Sequence, residues 1–458
     1  MNRLRGLLLV SALSPCILAY SLPANALSLK EALATAYATN PQIEAARASL
    51  RAADEEVAKA NAGWRPSLSL NGTDGYQHIV TDQPNHSEAD RDQLSGSATL
   101  SEPLFRGGRT VAEIRRAKAL VRAGQAQLTN AEQTVLLDAA SAYMDVVRDT
   151  ANLEYRRGNV QVLQDQLNAT TTQLNAGAVT ATDVQQTQAR LAVARAGVSS
   201  AEGQLSVSRA RFERVIGRPA EMLEAISALP ALPASMDEAV NRAAVQAPAL
   251  ISAQENSRAA DYAIDAAASA LLPQVSLQLQ YQYAKNSTVL GQFVNPRITQ
   301  RDASIFVQVT VPLYQGGAEY AQVRQVKEQR NQSLANVADV DRQVRESAQS
   351  AWGSLVAAQA SIASNELSVQ ANQAAVMGVI QEQRAGERSI LDILNAQQEL
   401  LSGQIGLANA QHDANVAAYQ LLSSTGQLTA RSLALDVKLY DPLEHYNKDS
   451  AAWAGLTP

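Results

Sequence analysis

The sequence predicts a mainly α-helical protein with a small β part, built from a duplicated unit of two strands and a long helical hairpin. Three observations predict it: an internal repeat, apolar ladders of seven-residue spacing, and short stretches of apolar–polar alternation. Ser28-Leu29-Lys30-Glu31-Ala32 returns as Ser235-Met236-Asp237-Glu238-Ala239, Asn40-Pro41 as Ala247-Pro248, and Arg65-Pro66 as Leu272-Pro273. Pro103-Leu104-Phe105-Arg106-Gly107-Gly108 returns as Pro312-Leu313-Tyr314-Gln315-Gly316-Gly317. Ala176-Gly177 with Asp183 returns as Ala385-Gly386 with Asp392, and Gly217 as Gly426. The offset drifts only from 207 residues (28 to 235) to 209 (177 to 386). A unit this long is a duplicated half-protein rather than a solenoid repeat, and it implies a pseudo-two-fold.

Arg3 and Arg5, the apolar stretch Leu7 to Tyr20 and the small residues Ala24-Asn25-Ala26 mark residues 1–26 as a secretory signal peptide. Its Cys16 is the one cysteine of the chain, so the protein beyond this leader is without disulfide or thiol chemistry. A lipid-anchored Cys16 is the rival reading, and Pro15 directly before it argues against that. The first repeat then spans 27–217 (helix, two strands, long hairpin) and the second 236–429. A linker at 218–235 with Pro219, Pro230 and Pro233 joins them, and a C-terminal segment covers 430–458. Without Arg3 and Arg5, 36 basic residues face 44 acidic ones, a balance of −8 that excludes a nucleic-acid partner. No later stretch reaches the ~18 consecutive apolar residues of a membrane-spanning helix. Aromatic residues are scarce at 4%, whereas abundant small side chains suit helices lying close together over long distances.

The first helical hairpin justifies itself residue by residue. No proline lies between Gly108 and Gly177, and Ile114, Val121, Leu128, Val135 and Ala142 form one seven-residue ladder. After an eleven-residue step it resumes at Leu153, Val160, Leu167 and Leu174, a local unwinding of a coiled-coil seam. Such a helix is roughly 100 Å long at 1.5 Å per residue. Its partner carries Val184, Leu191, Val198, Leu205 and Phe212, with small Thr187, Ala194, Ala201 and Ser208 beside the first four. The second half repeats the plan with Ala348, Leu355, Ile362, Val369 and Val376, then Ile393, Leu400, Leu407, Ala414 and Leu421.

The strands are read from alternation. Val275, Leu277, Leu279, Tyr281 and Tyr283 interleave with Gln274, Ser276, Gln278, Gln280 and Gln282; Ile305, Val307, Val309, Val311 and Leu313 interleave with Ser304, Gln308 and Thr310. The matching segments at about Ser67 to Gln77 and Gln93 to Leu104 alternate less cleanly. The polar connections Ile79 to Asp92 and Ala284 to Asp302 read as outside loops. Strands of ~9–11 residues, apolar outward and polar inward, suit a membrane β-barrel. Four strands are half of the roughly eight that close one, and lipid tolerates no open edge, so a membrane role requires several copies. Pro103, Gly107 and Gly108, with Pro312, Gly316 and Gly317, end strands and release the chain into helices.

With these segments the sequence resembles the TolC family of outer-membrane efflux and secretion channels, of the α-proteobacterial type, over essentially the whole chain after the leader. The paired Pro-Leu-aromatic-x-Gly-Gly segments, the turns Ala176 to Val184 and Ala385 to Leu394, and Leu435-Asp436-Val437-Lys438-Leu439-Tyr440-Asp441-Pro442 carry the resemblance. It implies a homotrimer: a twelve-stranded barrel in outer-membrane lipid, four strands per chain, above an α-helical barrel crossing the periplasm. It also implies docking to a periplasmic adaptor (membrane fusion) protein and an inner-membrane ABC or RND-type transporter, for drug efflux or type I protein secretion. The linker and C-terminal segment would form a belt around the middle of the tunnel.

Thr180-x-x-Asp183 and Ser389-x-x-Asp392 match capping boxes, as do Ser28-x-x-Glu31 and Ser235-x-x-Glu238. The resemblance adds a second role, placing Asp183, Arg388 and Asp392 at a periplasmic gate, with Arg388 as a candidate partner of Asp183 across or within subunits and Asp392 in an acidic ring. Gln383 and Asn395 stand where a well-known member of the family has a clasping tyrosine and a second ring aspartate. The tips Gly177, Ala178, Val179, Gly386 and Glu387 would be adaptor-docking surfaces. Nothing reads as catalytic, and no cofactor is implied. His78, His86, His412 and His445 show no metal-ligand spacing, and no nucleophile or phosphate-binding motif occurs. The competing reading is a soluble periplasmic coiled-coil adaptor or scaffold, which would need neither duplication nor a lipid-compatible strand face.

Overall fold

The structure, a computed structural model, describes residues 26–81, 87–224, 229–290, 293–294, 298–453 and 455. The expected leader lies outside them apart from Ala26, as do His86 and part of the linker.

The first half runs α1 (Leu29–Thr39), α2 (Pro41–Asn61), β1 (Ser67–Thr81), β2 (Ser87–Arg106), α3 (Arg109–Asn175) and α4 (Ala181–Ile216). The second runs α5 (Met236–Gln246), α6 (Pro248–Ala268), β3 (Gln274–Leu290), β4 (Phe293–Val294), β5 (Ile298–Thr310), α7 (Ala318–Arg384) and α8 (Ile390–Ser424). A short α9 (Glu444–Asp449) ends the order. The expected hairpins form at full length: α3 and α7 are each 67 residues, and each starts from a left-handed glycine, Gly108 at φ 84° and Gly317 at φ 86°.

Asn40 separates α1 from α2. Its backbone is extended ahead of Pro41, and its side-chain oxygen accepts from the Gln42 N–H at 2.9 Å, capping the second helix. The same side chain donates to the Val215 carbonyl at 2.9 Å, where the last turn of α4 needs a donor. Thus α4 lines one part of α3, and α1 and α2 take over where it stops. Ser28 and Glu31 form the expected capping box. At Ser235 only half of one forms, because the Glu238 carboxylate accepts from the Ala234 N–H at 2.7 Å instead.

The four long strands pair antiparallel in the order β1-β2-β3-β5, with β4 a two-residue stub on the end of β3. Their register stacks Leu68 on Leu100, Leu100 on Leu279 and Leu279 on Ile305, and likewise Leu70 on Ala98 and Ala98 on Tyr281. A bulge between Pro103 and Phe105 brings Phe105 opposite Val275, extending this apolar face. The opposite face stacks Ser69, Thr99, Gln280 and Ser304, with Ile298 and Phe306 the large apolar departures on β5. The strands run further than expected: the supposed loops from Ile79 and from Ala284 are largely ladder, with Thr81 paired to Ser87 and Ala284 to Gln300. Polarity there marks exposure to water, not loss of pairing; His78 and Asp90, paired across the ladder, hydrogen-bond at 2.7 Å. Among the described residues, the outer edges of β1 and β5 have no backbone partner.

The largest core gathers at the middle of α3, where Val135, Leu136, Tyr143 and Met144 meet α1, Phe212 and Ile216 of α4, Leu223 of the linker, and Leu428 and Leu435 near the C-terminus. The Tyr143 hydroxyl reaches the carbonyls of Leu27 and Glu224, each at 2.8 Å. These carbonyls lie on two stretches that pair as a parallel bridge, Leu27 with Leu223. The C-terminal segment then runs along α2 toward the strands: Asn61 donates to the Ser450 carbonyl at 2.8 Å, and the Arg65 guanidinium stacks on Trp453. No described helix is long and apolar enough to cross a membrane.

Candidate functional site

The hairpin tips, the free ends of the α3–α4 and α7–α8 pairs, are two copies of one turn. Gly177 (φ 74°) sends its N–H to the Leu174 carbonyl at 2.9 Å, and Ala178 sends its own to Gln173 at 2.9 Å, a Schellman closure. Gly386 (φ 83°) and Glu387 repeat it on Gln383 and Glu382 at 3.0 and 2.9 Å. The chain then enters the return helix through a capping box. The Asp183 carboxylate accepts from the N–H and hydroxyl of Thr180 at 2.9 and 2.7 Å, and Asp392 accepts from Ser389 at the same distances. Gly177, Ala178, Gly386 and Glu387 are exposed, and Val179 is half-buried.

Both carboxyl groups are held below the ordinary aspartate range. The hydroxyl and N–H of Thr180 do this for Asp183; those of Ser389, helped by the Arg388 charge, do it for Asp392. Both are therefore ionised at neutral pH, and both caps use Oδ2, leaving Oδ1 available. Within the chain, Arg388 pairs not with Asp183 but with Glu382 of its own hairpin, Nε to Oε2 at 3.0 Å. A contact between the hairpins comes from a residue that the sequence did not single out: Arg190 donates to the Asn395 amide oxygen at 3.2 Å. Beneath it Leu163, Leu191, Ile390 and Leu394 form a small apolar seam joining the two tips.

At the other end, the strand-to-helix breaks differ between repeats. A Cβ on Gly107 (φ 60°) would lie 2.6 Å from the Ser269 carbonyl oxygen, so the turn before β3 is packed onto it. Gly316 (φ 73°) carries the same backbone with open space around it. Pro103 lies beside the bulge, and Pro312 comes just after the end of β5.

A polar cluster that sequence spacing did not find lies where α3, α4 and α8 meet. Asp145 accepts from His412 Nε2 and Arg211, each at 2.9 Å. Asp149 accepts from Arg148 Nε at 2.8 Å and from the Ser208 hydroxyl. These are structural links between helices.

An open antiparallel sheet with one continuous apolar face, standing on ~100 Å helices, defines a wall segment of a membrane conduit rather than a globular enzyme. The chain belongs to the outer membrane efflux protein family, whose model matches it twice, over residues 32–218 and 239–427. It is 35% identical over 429 residues to the outer membrane efflux protein BepC of Brucella suis biovar 1, covering 94% of this chain and 92% of that one. The alkaline protease secretion protein AprF of Pseudomonas aeruginosa is 26% identical, over 90% and 87% of the two chains. In fold, the chain resembles the Campylobacter jejuni CmeC outer membrane channel with a TM-score of 0.76 and 15% identity, covering 92% of this chain and 89% of that one. The family consists of outer-membrane transport conduits, not enzymes.

Proposed function

We propose that this chain is one third of a trimeric channel-tunnel: a twelve-stranded barrel in the outer membrane continued by an α-helical barrel through the periplasm. It would serve as the exit duct for tripartite drug efflux, type I protein secretion, or both. The observation that carries this reading is the pair of unpaired sheet edges, β1 and β5, bordering an apolar face. Unpaired amides in lipid cost several kcal/mol each, so β5 of one copy must pair with β1 of the next. The relatives' names, efflux for BepC and protease secretion for AprF, support a conduit for cargo.

The tip would be the periplasmic entrance. Asp183 and Asp392 project ionised carboxylates there, and Arg388 is close enough to the turn to exchange Glu382 for an acid of a neighbouring hairpin. Opening would be triggered by docking of an adaptor on Gly177, Ala178, Val179, Gly386 and Glu387, coupled to an inner-membrane ABC or RND-type pump. The soluble-scaffold reading leaves the apolar face of Leu68, Leu70, Leu279 and Ile305 uncovered.

Fractionation and then planar-bilayer recording test the proposal. The protein should sediment with outer membranes, require detergent, migrate as a heat-sensitive trimer and conduct ions. A stable monomer in detergent-free buffer would overturn it.

A further inference from the structure

His445, on α9, sits at the junction of the C-terminal segment with α2, surrounded by carboxylates. Its Nδ1 lies 3.2 Å from Oδ2 of Asp54, which is buried to 1% exposure. Its Nε2 faces two other acids, Asp449 Oδ2 at 3.4 Å and Glu55 Oε1 at 3.8 Å. The ligand atoms of Glu55, His445 and Asp449 all lie within 4.8 Å of one another.

The two separations at Nε2 exceed the ~2.7–3.2 Å of an ordinary hydrogen bond. They match the edge of a coordination polyhedron, because two ligands at ~2.0–2.2 Å from a tetrahedral zinc stand about 3.4 Å apart. Two further facts point to a cation-binding role. Asp449 Oδ2 is buried without a hydrogen-bond partner, and so is Asp54 Oδ1. A half-buried imidazole between carboxylates, one nitrogen bonded to an acid and the other facing two more, is also the arrangement by which proteins orient a metal-binding histidine.

We propose that Glu55, His445 and Asp449 form a zinc-class divalent-cation site that staples the C-terminal segment to α2, with Asp54 positioning the imidazole. Asp54 would accept the Nδ1 proton and so hold the Nε2 lone pair toward the ion. His445 and Asp449 stand four residues apart on one turn of α9, and Glu55 comes from α2, so the ion bridges elements nearly 400 residues apart. The same junction carries the Asn61–Ser450 bond and the Arg65–Trp453 stack, so the ion would fix the tail beneath the strands.

The test is zinc titration of the full-length, detergent-purified protein without a histidine tag, after dialysis against chelator. One Zn²⁺ per chain is expected, with X-ray absorption reporting one nitrogen and two or three oxygen neighbours at ~2.0–2.2 Å. His445→Gln and Asp449→Asn should each abolish stoichiometric binding. Glu55→Gln, on an exposed residue, should weaken it at least tenfold. Asp54→Asn should weaken it roughly 10–100-fold, as loss of an orienting carboxylate does. No binding by the wild type, or equal binding by wild type, His445→Gln and Glu55→Gln, would overturn the assignment.

Discussion

The helices α3 and α7 have the same length, the same glycine start and the same seven-residue ladder, yet they live in different surroundings. Twenty-one residues of α3 are buried and only five of α7. The cause is position in the wall. In its own repeat α3 packs on α1, α2 and α4, and from the second repeat it gains α6 and α8. The corresponding neighbours of α7 are α5, α6 and α8, and among the described residues no helix of the first repeat packs extensively on it. Gly107 and Gly316 make the same point at the strand roots, one packed on Ser269 and the other open. Under the proposed assembly, the pseudo-two-fold would give α7 two further neighbours, α2 and α4 of the next copy. The helical order then agrees with the sheet order, in which β5 awaits β1.

The largest expected effect falls on the covered helix. Tyr143 of α3 is fully buried, and Trp352, its counterpart on α7 at an offset of 209, is half-buried. Tyr143→Ala should cost about 3–5 kcal/mol of subunit stability, as large-to-small core changes do. Trp352→Ala should cost clearly less in subunits kept apart. Equal losses in denaturant unfolding would break the comparison.

A second test addresses the uncovered side directly. Val147 of α3 packs against the core between helices, while its counterpart Val356 on α7 is 49% exposed. If the next copy covers Val356, Val356→Asp should weaken each interface by roughly 1–3 kcal/mol, the cost of burying an unpaired polar group. The variant should run as monomer on native gels while keeping wild-type helicity. An intact trimer would place Val356 on a water-facing surface.

The gate comes next. Asp183→Asn keeps an oxygen able to accept from Thr180 but removes the charge, whereas Asp183→Ala removes both. Cap loss should cost a few tenths to about 1 kcal/mol. If charge holds the pore narrow, both variants, and Arg388→Ala, should raise single-channel conductance in planar bilayers, with Glu382→Ala rising less. Conductance raised only by Asp183→Ala would reduce this acid to a cap. Asp392→Asn should relieve block by multivalent cations added from the periplasmic side, and unchanged block would place that site elsewhere.

How much the sequence disclosed depends on the range of the interactions. The 67-residue helices were legible because no proline interrupts them, and the capping boxes because donor and acceptor lie three residues apart. The strand faces were legible from period two, but not the strand ends, since the polar residues beyond Ile79 carry no sign of pairing. Arg388 with Glu382, Arg190 with Asn395, and the surroundings of His412 and His445 were not legible. His412 and Asp145, for example, stand 267 positions apart and meet only when α8 packs on α3. A local trace of the fourth did exist: His445 and Asp449 have the spacing of one helical turn.

The smallest effect is a pH slope, and it also separates the two seams. At the seam between α3 and α8, His412 meets Asp145, Asp413 and Arg148. The matching positions on the other seam, offset by 209, are Gly203 for His412 and Ser354, Ala357 and Ala358 for Asp145, Arg148 and Asp149. Burial alone would push the His412 imidazole down, but the Asp145 and Asp413 carboxylates outweigh it and hold it above its ordinary value. The stabilisation from protonated His412 is therefore complete below about pH 6.5, its unfolded value, and fades as pH rises through the higher folded one. Asp145 is held below its ordinary range despite its burial, and stays ionised throughout that window. The wild-type unfolding midpoint should fall from pH 6 to pH 8 relative to that of His412→Gln, whereas trimer dissociation, governed by the seam with Gly203, should show no such difference. A slope in dissociation that His412→Gln removes would mean that this imidazole serves the contact between copies, and the two seams would no longer differ in the way their residues indicate.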